Sequence, residues 1–593
     1  MLLQRILCPA PTDNCSELYM HKNMQNTDSV CRNSLQSTYD RLNFNTYFNM
    51  LSIAKWEKYT LLQRVSLQLN IEGRAQILLT ALFSCDNRPE ETIVKTEIVH
   101  SDIRSNFIIS YPEVQNAVAY GFYLNPLSDD FIFHGGAYTT DVPESSLSPV
   151  DLALAICTYK REDYINNNMQ MLQKDIFDKK DSLLHGHVKV FIADNGKTLD
   201  PEKYDPNFIK VFPNKNSGGS GGFSRAAIEA LHDNDFHPTH IILMDDDITF
   251  NTETLERTYT FLRLLKPEYK NAMLGGTMFR SDTPCILHAA GESLTLEGIQ
   301  NRKIGLDMQD IKNVLLNELD EQADYLGWWY CCIPVSQFGK TGFSLPLFVQ
   351  YDDIEYGLRN TNITKITLNG ICCWHIPFDK KWSASKSYYE IRNRSIVKSI
   401  YFPSFTRRYF VKGIRRECIQ KFFQYSYKEA EIILAGAEDF LKGLSWLSQQ
   451  DPERLNQNII NRCDRLTDLD QLPIHFDAAV LQQSAQLDQS AIGRIKRILT
   501  LNGWLLPANR ETAAEINDLA RQHYYRAKRV LRYDRNSGKG YVAEKSYKKA
   551  FSVLKKYILF SFNTVLRFNQ VSRENKKLLE SITCETFWTL YLE

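Results

Sequence analysis

The sequence contains no apolar run that is long enough to cross a membrane. A transmembrane helix needs about 18 to 20 predominantly apolar residues, and the longest candidate, 557–565, is short and contains polar residues. Residues 1–15, MLLQRILCPAPTDNC, also lack the apolar core of a secretory signal peptide. We therefore expect a cytoplasmic protein with free cysteine thiols, because disulfides belong mainly to secreted chains.

The sequence also has no excess of either charge, since 70 Lys and Arg balance 70 Asp and Glu. This balance gives no general attraction to nucleic acid, and we expect no nucleic-acid partner. Apolar residues make up 43% and charged residues 24% of the chain, which excludes extensive disorder. The length of 593 residues predicts about two to four domains.

The residue patterns divide the chain into three predicted domains, and the fold class is multidomain α/β. Short alternating segments in residues 1–148 predict an N-terminal β-sandwich or barrel, with a turn at Glu72–Gly73. Residues 149–400 alternate buried strands with helices, which predicts a mostly parallel, Rossmann-like sheet covered on both faces. Residues 401–593 predict a helical domain that includes a helix over 511–533.

Three buried strands of the central region end in polar residues, at Thr158–Arg161, Asp194–Gly196 and Asp245–Asp247. Ligands of such sheets bind beyond the carboxyl ends of the strands, so we predict one site there. In the segment MDDDI, the first and third aspartates point to the same side of an extended chain. Together they can hold one Mg²⁺ or Mn²⁺ that also binds a diphosphate. An acidic loop or helix cap is the alternative.

Further segments of the same region add candidate groups. The glycines of the stretch NSGGSGGFSRA, residues 216–226, let the backbone approach a ligand, and the helix that follows has an N-terminus that favours an anion. A flexible turn is an equal alternative. One aspartate of the pair 352–353 can act as a general base or cap a helix. His375 is a candidate third metal ligand. The tryptophan pair 328–329 belongs either to the core or to a surface on which sugars stack.

The order of these segments resembles the bacterial galactofuranosyltransferases of the polymerising type, known from mycobacterial cell-wall galactan. The matching segments are CTYKR, ADNG, NSGGSGGFSRA, MDDDI, HAAGE, GWWYCCIP, QYDDIEYGLR and WHIPF followed by YYEIRNR. Those enzymes are inverting, metal-dependent family-2 glycosyltransferases with a GT-A domain. The resemblance is closest over residues 150–400, and it extends more loosely to a β-sandwich before that domain and a helical domain after it.

The resemblance implies a role for each matched position. Asp245, Asp247 and His375 match the metal ligands, and Asp353 matches the catalytic base. We assign the donor nucleotide to Thr158, Arg161, Asp194, Asn216 and Asp246. We assign the acceptor to Trp328, Trp329, Asp352, His288 and Glu292.

The resemblance also implies UDP-galactofuranose as donor and a growing glycan or lipid-linked glycan as acceptor, at the inner face of the cell membrane. Lys and Arg greatly outnumber Asp and Glu over residues 521–577, where aromatic residues are interleaved. This pattern fits peripheral contact with an anionic membrane, and a solvated helix face is the alternative. Assembly into a homo-oligomer is left open.

Three other functions are compatible with parts of the pattern. A family-2 transferase for UDP-galactopyranose, UDP-glucose or dTDP-rhamnose would hold its nucleotide and metal with the same strand-end residues. A non-catalytic carbohydrate-binding protein would not need the intact acidic residues and His375. A nucleotidyltransferase would need a basic residue near the α-phosphate, and the sequence does not place one.

Overall fold

The computed structural model describes residues 1–10, 15–22, 30–31, 34–36, 41–85, 88–377, 383, 385–472 and 490–593. These residues form two compact units. Unit 1 contains residues 1–344, 353–377 and 583–593. Unit 2 contains residues 345–352 and 378–582.

The N-terminal part of unit 1 is an antiparallel sheet of nine strands with one helix, α1 (Ile53–Tyr59). The strands are β1 (Leu2–Ile6), β2 (His21–Lys22), β3 (Val30–Cys31), β4 (Ser34–Gln36), β5 (Leu42–Asn43), β6 (Val65–Cys85), β7 (Arg88–Ser110), β8 (Ala119–Pro126) and β9 (Ile132–Thr140). On one side of β6, the first half pairs with β9 and the second half pairs with β8. On the other side, β6 pairs with β7 along almost the whole length of both strands. The prediction of a β-rich segment is confirmed.

The turn that we predicted at Glu72–Gly73 is wrong, because β6 continues through it. The register with β7 shifts between Ile71 and Gly73, and Gly73 has a φ of 85°. A left-handed glycine allows a bulge inside a strand, so the same sequence signal marks a bulge here.

The second part of unit 1 is a mixed α/β arrangement built on an eight-stranded sheet. Its strands are β10 (Leu152–Thr158), β11 (Val188–Asp194), β12 (Ile209–Pro213), β13 (His240–Asp245), β14 (Met273–Arg280), β15 (Leu287–Ala289), β18 (Cys331–Pro334) and β19 (Lys365–His375), and the pair β16 (Ser293–Leu294) and β17 (Ile299–Gln300) stands apart. Its helices are α2 (Glu162–Leu172), α3 (Gly218–Leu231), α4 (Glu253–Arg263), α5 (Ile311–Asn317), α6 (Val335–Thr341) and α7 (Asp352–Arg359), the last of which begins in unit 2.

The strand order is β12-β11-β10-β13-β18-β14-β15, and β19 pairs with β14. Strands β10 to β13 are mutually parallel, as predicted, but β18 is antiparallel to both of its neighbours. The sheet is therefore more mixed than the alternation of strands and helices indicated.

Both faces of β10 are buried, which explains its continuous apolar sequence. Leu154 belongs to a large core cluster that also contains Leu67 of β6. Ala155 belongs to a second cluster with Ala226 of α3, where small side chains let the helix approach the sheet closely. The segments on either side of residue 148 thus share one core in unit 1, and the predicted domain bounds at 148 and 400 remain predictions.

Unit 2 contains helices and a small sheet. The helices are α8 (Lys386–Tyr401), α9 (Arg407–Phe423), α10 (Tyr427–Phe440), α11 (Leu444–Leu447), α12 (Pro452–Arg462), α13 (Ala491–Leu499) and α14 (Tyr547–Leu578), and the sheet has the order β20-β23-β22-β21, with β20 (Thr467–Asp468), β21 (Arg510–Glu515), β22 (Ala527–Asp534) and β23 (Lys539–Glu544). A final helix, α15 (Glu585–Leu592), belongs to unit 1.

The predicted helix over 511–533 is wrong, because this segment supplies β21 and β22. Ala513 and Leu531 are register partners in the parallel pair, and both are buried in a small core cluster. Pairing between segments outweighs helix propensity when the pairing buries the apolar side chains. The strongly helical character predicted after residue 400 therefore holds only outside this sheet.

One cysteine pair also departs from the prediction of free thiols. A disulfide joins Cys15 to Cys285, whose Cα atoms lie 6.1 Å apart. The adjacent pairs 331–332 and 372–373 are free and buried, as expected for small core residues. Among the described helices, none combines the length and apolarity required for a membrane span.

Candidate active site

The carboxyl edge of the eight-stranded sheet contains a topological switch point. The chain proceeds from β10 through β11 to β12 on one side, and β13 then pairs with β10 on the other side. Thr158 is the register partner of Asp194, and Cys157 is that of Asp245. The structure thus brings together the three polar strand ends that the sequence indicated. Ligands of open α/β sheets bind in the crevice at this position.

Asp245, Asp247 and His375 form a compact group at this edge. His375 Nε2 lies 2.9 Å from Asp247 Oδ1 and 3.9 Å from Asp245 Oδ2. One ligand atom from each residue lies within 4.8 Å of the others. The side chains of His375 and Asp247 are 2% and 7% exposed, while that of Asp245 is 32% exposed, so the group opens to solvent at Asp245.

The position of His375 depends on contacts between distant parts of the chain. His375 ends β19 and is the register partner of Arg280 in β14. The segment after β13 crosses to β19, where Thr249 and Trp374 exchange backbone hydrogen bonds of 2.9 and 2.8 Å. This bridge brings the aspartate segment against the end of β19, and it therefore places the imidazole beside Asp247.

Asp246 points away from the group, as the alternation of side chains predicts. Its carboxylate accepts a hydrogen bond of 2.7 Å from the Thr158 hydroxyl and one of 3.4 Å from the Tyr159 backbone N–H. Burial, together with the adjacent Asp247 charge, raises the pKa of Asp246. The contact with Thr158 connects the ends of β10 and β13 directly across the switch point.

Arg161 provides a positive charge beside these carboxylates. Its guanidinium lies 3.7 Å from Asp247 Oδ2, and its side chain is 39% exposed. A half-exposed guanidinium next to a cation site can pair with phosphate oxygens as well as with the carboxylate.

Asp194 is fully buried and organises the loop that follows β11. Its carboxylate accepts backbone N–H bonds from Gly196, Thr198 and Leu199 at 2.9, 2.7 and 2.8 Å. Any effect of Asp194 on a bound nucleotide would therefore be transmitted through the shape of this loop.

Two asparagines that the sequence reasoning missed connect this loop to α3. Asn195 donates to the Gly218 carbonyl at 3.0 Å and accepts from Asn214 at 2.8 Å. The predicted residue Asn216 accepts from the Gly218 N–H at 3.3 Å. The sequence did contain a signal for these contacts, since asparagines near the start of a loop commonly bond to the loop backbone. Asn195 follows β11, and Asn214 and Asn216 follow β12.

The glycines of α3 make room for protein atoms. The helix begins at Gly218, so the glycine-rich stretch forms its first turns. A Cβ at Gly222 would lie 2.1 Å from Cys157 Sγ, and one at Gly221 would lie 2.2 Å from Ser217 Cβ. Gly222 therefore permits close packing of α3 on β10, and Gly221 makes room for the Ser217 side chain at the start of the same helix. The sequence had led us to predict that these glycines admit a ligand.

Asp352 and Asp353 are the first two residues of α7. Asp353 is partly buried, and its Oδ1 accepts the Ile354 N–H at 2.7 Å. Burial, with a contribution from the Asp353 charge, raises the pKa of Cys331 at the start of β18. Cys331 is the register partner of Leu243 in β13, two residues before Asp245. The charge of Asp353 thus acts on the start of β18, the strand that pairs with β13.

Within unit 2, an unusual backbone segment precedes these aspartates. Phe348, Gln350 and Tyr351 all have positive φ values, between 65° and 74°. The buried Asn393 amide donates to the carbonyls of residues 347, 349 and 350 at 3.1, 2.8 and 3.0 Å. Asn393 lies in the matched segment YYEIRNR, where the sequence pattern did not predict a role for it. Its contacts stabilise a conformation that is costly for bulky residues.

The two tryptophans assigned to the acceptor are buried, at 6% exposure for Trp328 and 5% for Trp329. The Trp328 ring packs edge-on against Phe223 of α3 and Tyr356 of α7, with centroids 5.4 and 5.8 Å away. Trp329 donates its indole N–H to the Gly276 carbonyl at 2.8 Å. Both therefore take part in core packing, and Trp328 supports the helix that carries Asp353.

Glu292 is connected to α7 through Tyr325. The Glu292 carboxylate accepts a hydrogen bond of 2.6 Å from the Tyr325 hydroxyl. Burial raises the pKa of Glu292. A Cβ at Gly357 of α7 would lie 2.3 Å from Tyr325 Cβ, so Tyr325 packs closely against this helix. His288 lies on β15, where its carbonyl accepts the Asn301 amide at 2.5 Å.

The residues at the switch point fit a divalent cation. Three consecutive carboxylates repel one another, and a cation between the first and third relieves this repulsion. Carboxylate oxygens suit Mg²⁺ and Mn²⁺, and an imidazole nitrogen favours a transition metal. A strand-end crevice, a carboxylate and imidazole group that suits a divalent cation, and an acidic side chain at one helix start are together typical of α/β transferase sites.

Comparison with known proteins agrees with this class. The family model described as "Galactofuranosyltransferase 2 N-terminal" matches residues 3–140. The galactofuranosyltransferase GlfT2 of Mycolicibacterium smegmatis is 25% identical over 490 residues, covering 74% of this chain and 71% of that protein. GlfT2 of Mycobacterium tuberculosis is 24% identical over 492 residues, with coverages of 74% and 72%. The chain is a glycosyltransferase related to the galactofuranosyltransferases. The match at residues 3–140 also extends the resemblance beyond the 150–400 region.

Two solved structures are also similar. One is a mannosyltransferase from Pyrobaculum calidifontis in complex with GDP-Man and Mn²⁺, at 12% identity and a TM-score of 0.29, covering 54% of this chain and 87% of that chain. The other is GalNAc-T7 with UDP, GalNAc and Mn²⁺, at 11% identity and a TM-score of 0.31, with coverages of 56% and 61%. At these TM-scores the likeness carries no argument about the fold or site of this chain.

Proposed function

We propose that the protein is an inverting, metal-dependent galactofuranosyltransferase with a GT-A catalytic domain. It would transfer galactofuranose from UDP-galactofuranose to a hydroxyl of a growing cell-surface polysaccharide or glycolipid. The observation that carries the proposal is the Asp245, Asp247 and His375 group at the switch point. The choice of galactofuranose as the transferred sugar is based on the two named relatives, because both are galactofuranosyltransferases.

The donor would lie along the carboxyl edge of the sheet. Asp245, Asp247 and His375 would hold Mn²⁺ or Mg²⁺, and this cation would stabilise the negative charge that develops on the diphosphate leaving group. Arg161 lies beside Asp247 and can pair with the same diphosphate. Thr158 and Asp246 connect the two strand ends, and Asp194 and Asn216 hold the adjoining loops.

The acceptor would approach from the side of α7. In an inverting transfer, Asp353 takes the proton of the acceptor hydroxyl as its oxygen attacks the anomeric carbon opposite UDP. The bond from that carbon to the diphosphate breaks, and UDP leaves. Asp352 is proposed to contact the acceptor. Trp328 and Glu292 would act through their packing against α7, while direct sugar contacts by Trp329 and His288 remain predictions.

A UDP-release assay tests the donor and the reaction together. With Mn²⁺ and a short galactofuranose-terminated acceptor, we expect UDP release from UDP-galactofuranose that stops in EDTA and requires the acceptor. UDP-galactopyranose, UDP-glucose and dTDP-rhamnose serve as parallel donors. Release with one of these instead of UDP-galactofuranose would reject the proposed sugar and retain the transferase. Silence across the panel, with a lipid-linked acceptor included, would favour the carbohydrate-binding alternative.

We further propose that unit 2 contacts an anionic membrane through one face of α14. Phe551, Phe562 and Leu566 are 70%, 71% and 68% exposed, and they form a stripe with Leu554, Ile558, Leu559 and Val565. Exposed Lys548 and Lys555 lie on the same helix. An apolar stripe beside lysines binds an anionic lipid surface by burying the stripe and pairing the cations with headgroups.

Polar substitution of this stripe tests the membrane contact. The double variant Phe562→Ser/Leu566→Ser should lower partition onto vesicles with anionic lipid by about tenfold or more, because each side chain contributes about 1.5 to 3 kcal/mol when fully buried. Asn569→Ser, an exposed change on the same helix, is the control. Cosedimentation with anionic and with neutral vesicles measures the difference. Unchanged partition would contradict the proposal, and a changed molecular mass would assign the stripe to contact between subunits.

A further inference from the structure

The last helix of the chain, α15, packs in unit 1 against α3, far from it in sequence. Trp588 is fully buried and belongs to the core cluster that contains Phe223 and Ala227 of α3. Its indole N–H donates to the Ser344 carbonyl at 3.0 Å. At the start of α15, the Glu585 carboxylate is hydrogen-bonded at 2.6 Å to the Nε2 of His232, the residue that follows α3.

These contacts reach the first turns of α3. The Ser344 hydroxyl donates to the Ser220 carbonyl at 3.2 Å. A Cβ at Gly221 would lie 3.5 Å from Leu592 Cδ2, so the end of α15 touches the glycine-rich turns. Helix α15 therefore contacts α3 near both of its ends and restrains its position on the sheet.

A cation also joins α15 to the loop between β12 and α3. The Lys215 amine lies 5.9 Å from the centroid of the Tyr591 ring, within the range of a cation–π interaction. Tyr591 is in turn stacked on Phe587, with centroids 5.2 Å apart. Lys215 precedes Asn216, which bonds to the first N–H of α3. Tyr591 thus restrains the backbone of a loop at the proposed donor edge.

We propose that α15 is a positioning element of the donor site, and that Tyr591 is its positioning residue through Lys215. The inference rests on the proposed function, because it takes the loop of Lys215 and the start of α3 as the binding site of a nucleoside diphosphate. A loop that is already held in its bound conformation loses less entropy when the ligand binds. Loss of the Tyr591 ring should therefore weaken nucleotide binding.

Titration calorimetry of the full chain with UDP and Mn²⁺ tests this inference. We expect Tyr591→Ala to weaken UDP binding by about three- to tenfold, the range of one partly exposed cation–π contact. Tyr591→Phe retains the ring and should restore wild-type affinity. Leu590→Ala, a change at a side chain that is 67% exposed on the same helix, should have no effect. In kinetics, KM for the donor should rise while kcat and KM for the acceptor stay constant.

The outcomes separate this inference from the proposed donor. Wild-type affinity in Tyr591→Ala, or an equal loss in Tyr591→Phe, would overturn the positioning role. If the wild-type protein binds another nucleoside diphosphate but not UDP, the proposed uridine donor is rejected. The affinities of the same variants are then measured with that nucleotide, and they test the positioning role in the same way. A lowered melting temperature with unchanged affinity would assign α15 a role in stability alone and would also overturn the inference.

Discussion

Replacing Asp353 by asparagine is expected to reduce sugar transfer by about 10²- to 10⁴-fold, the usual contribution of a general base. Asparagine keeps the shape of the side chain but cannot take the acceptor proton. Asp353 lies at the start of α7, and its charge acts on Cys331 at the start of β18, the strand beside β13. UDP binding in Mn²⁺ should stay within about twofold of the wild type, because the proposed donor residues are unchanged. UDP release and calorimetry measure the two quantities.

Asp352→Asn is the matched control, since it makes the same change one residue earlier in the same helix. We expect Asp352→Asn to raise KM for the acceptor with a smaller loss of kcat. If Asp352→Asn abolished transfer while Asp353→Asn retained it, the base would be Asp352. Loss of UDP binding or of the folded state in Asp353→Asn would show a structural role and contradict the assignment of the base.

The second large effect is expected on metal dependence, when a member of the Asp245, Asp247 and His375 group is replaced. His375→Ala should raise the Mn²⁺ concentration for half-maximal activity by about 10- to 100-fold or more, because even outer-shell changes reach this range. The imidazole lies 2.9 Å from Asp247 and is almost fully buried, so its loss removes one of the three candidate ligand groups from the site. Activity measured over a Mn²⁺ titration, with EDTA-treated enzyme as the zero point, checks this result.

His240→Gln controls for the loss of a buried histidine. His240 begins β13, the strand that ends in Asp245, and burial lowers the pKa of His240 to about 4, so the ring is neutral at pH 7. This variant should retain the wild-type metal midpoint even if its melting temperature falls. An unchanged midpoint in His375→Ala would exclude His375 as a ligand, and equal shifts in both variants would point to a general loss of stability.

Much of the candidate site was predictable from local sequence. Apolar strands that end in polar residues indicate the carboxyl edge of a parallel sheet, and Thr158, Asp194 and Asp245 do lie there. The spacing of Asp245 and Asp247 places them on one side of an extended segment, with Asp246 on the other, as its bond to Thr158 shows. Both conclusions depend only on the period of a strand, which is a local property.

Other features were mispredicted because one local pattern has several structural uses. Glycine permits a turn, a bulge and close packing alike, so Gly73 was taken for a turn and Gly222 for a ligand contact. Residues 511–533 carry helical spacing, yet their apolar residues are buried by pairing β21 with β22. In each case a partner distant in the sequence selects among conformations that the local residues allow.

The sequence by itself determined the strand ends, the aspartate spacing and the buried character of the central strands. Only the tertiary structure decided which distant groups meet. The Thr249–Trp374 bridge places His375 beside Asp247, and the Trp588 contact with Ser344 returns the end of the chain to α3. The physical reason is that periodicity specifies which face of an element is apolar, whereas the partner of that face depends on the packing of the whole unit.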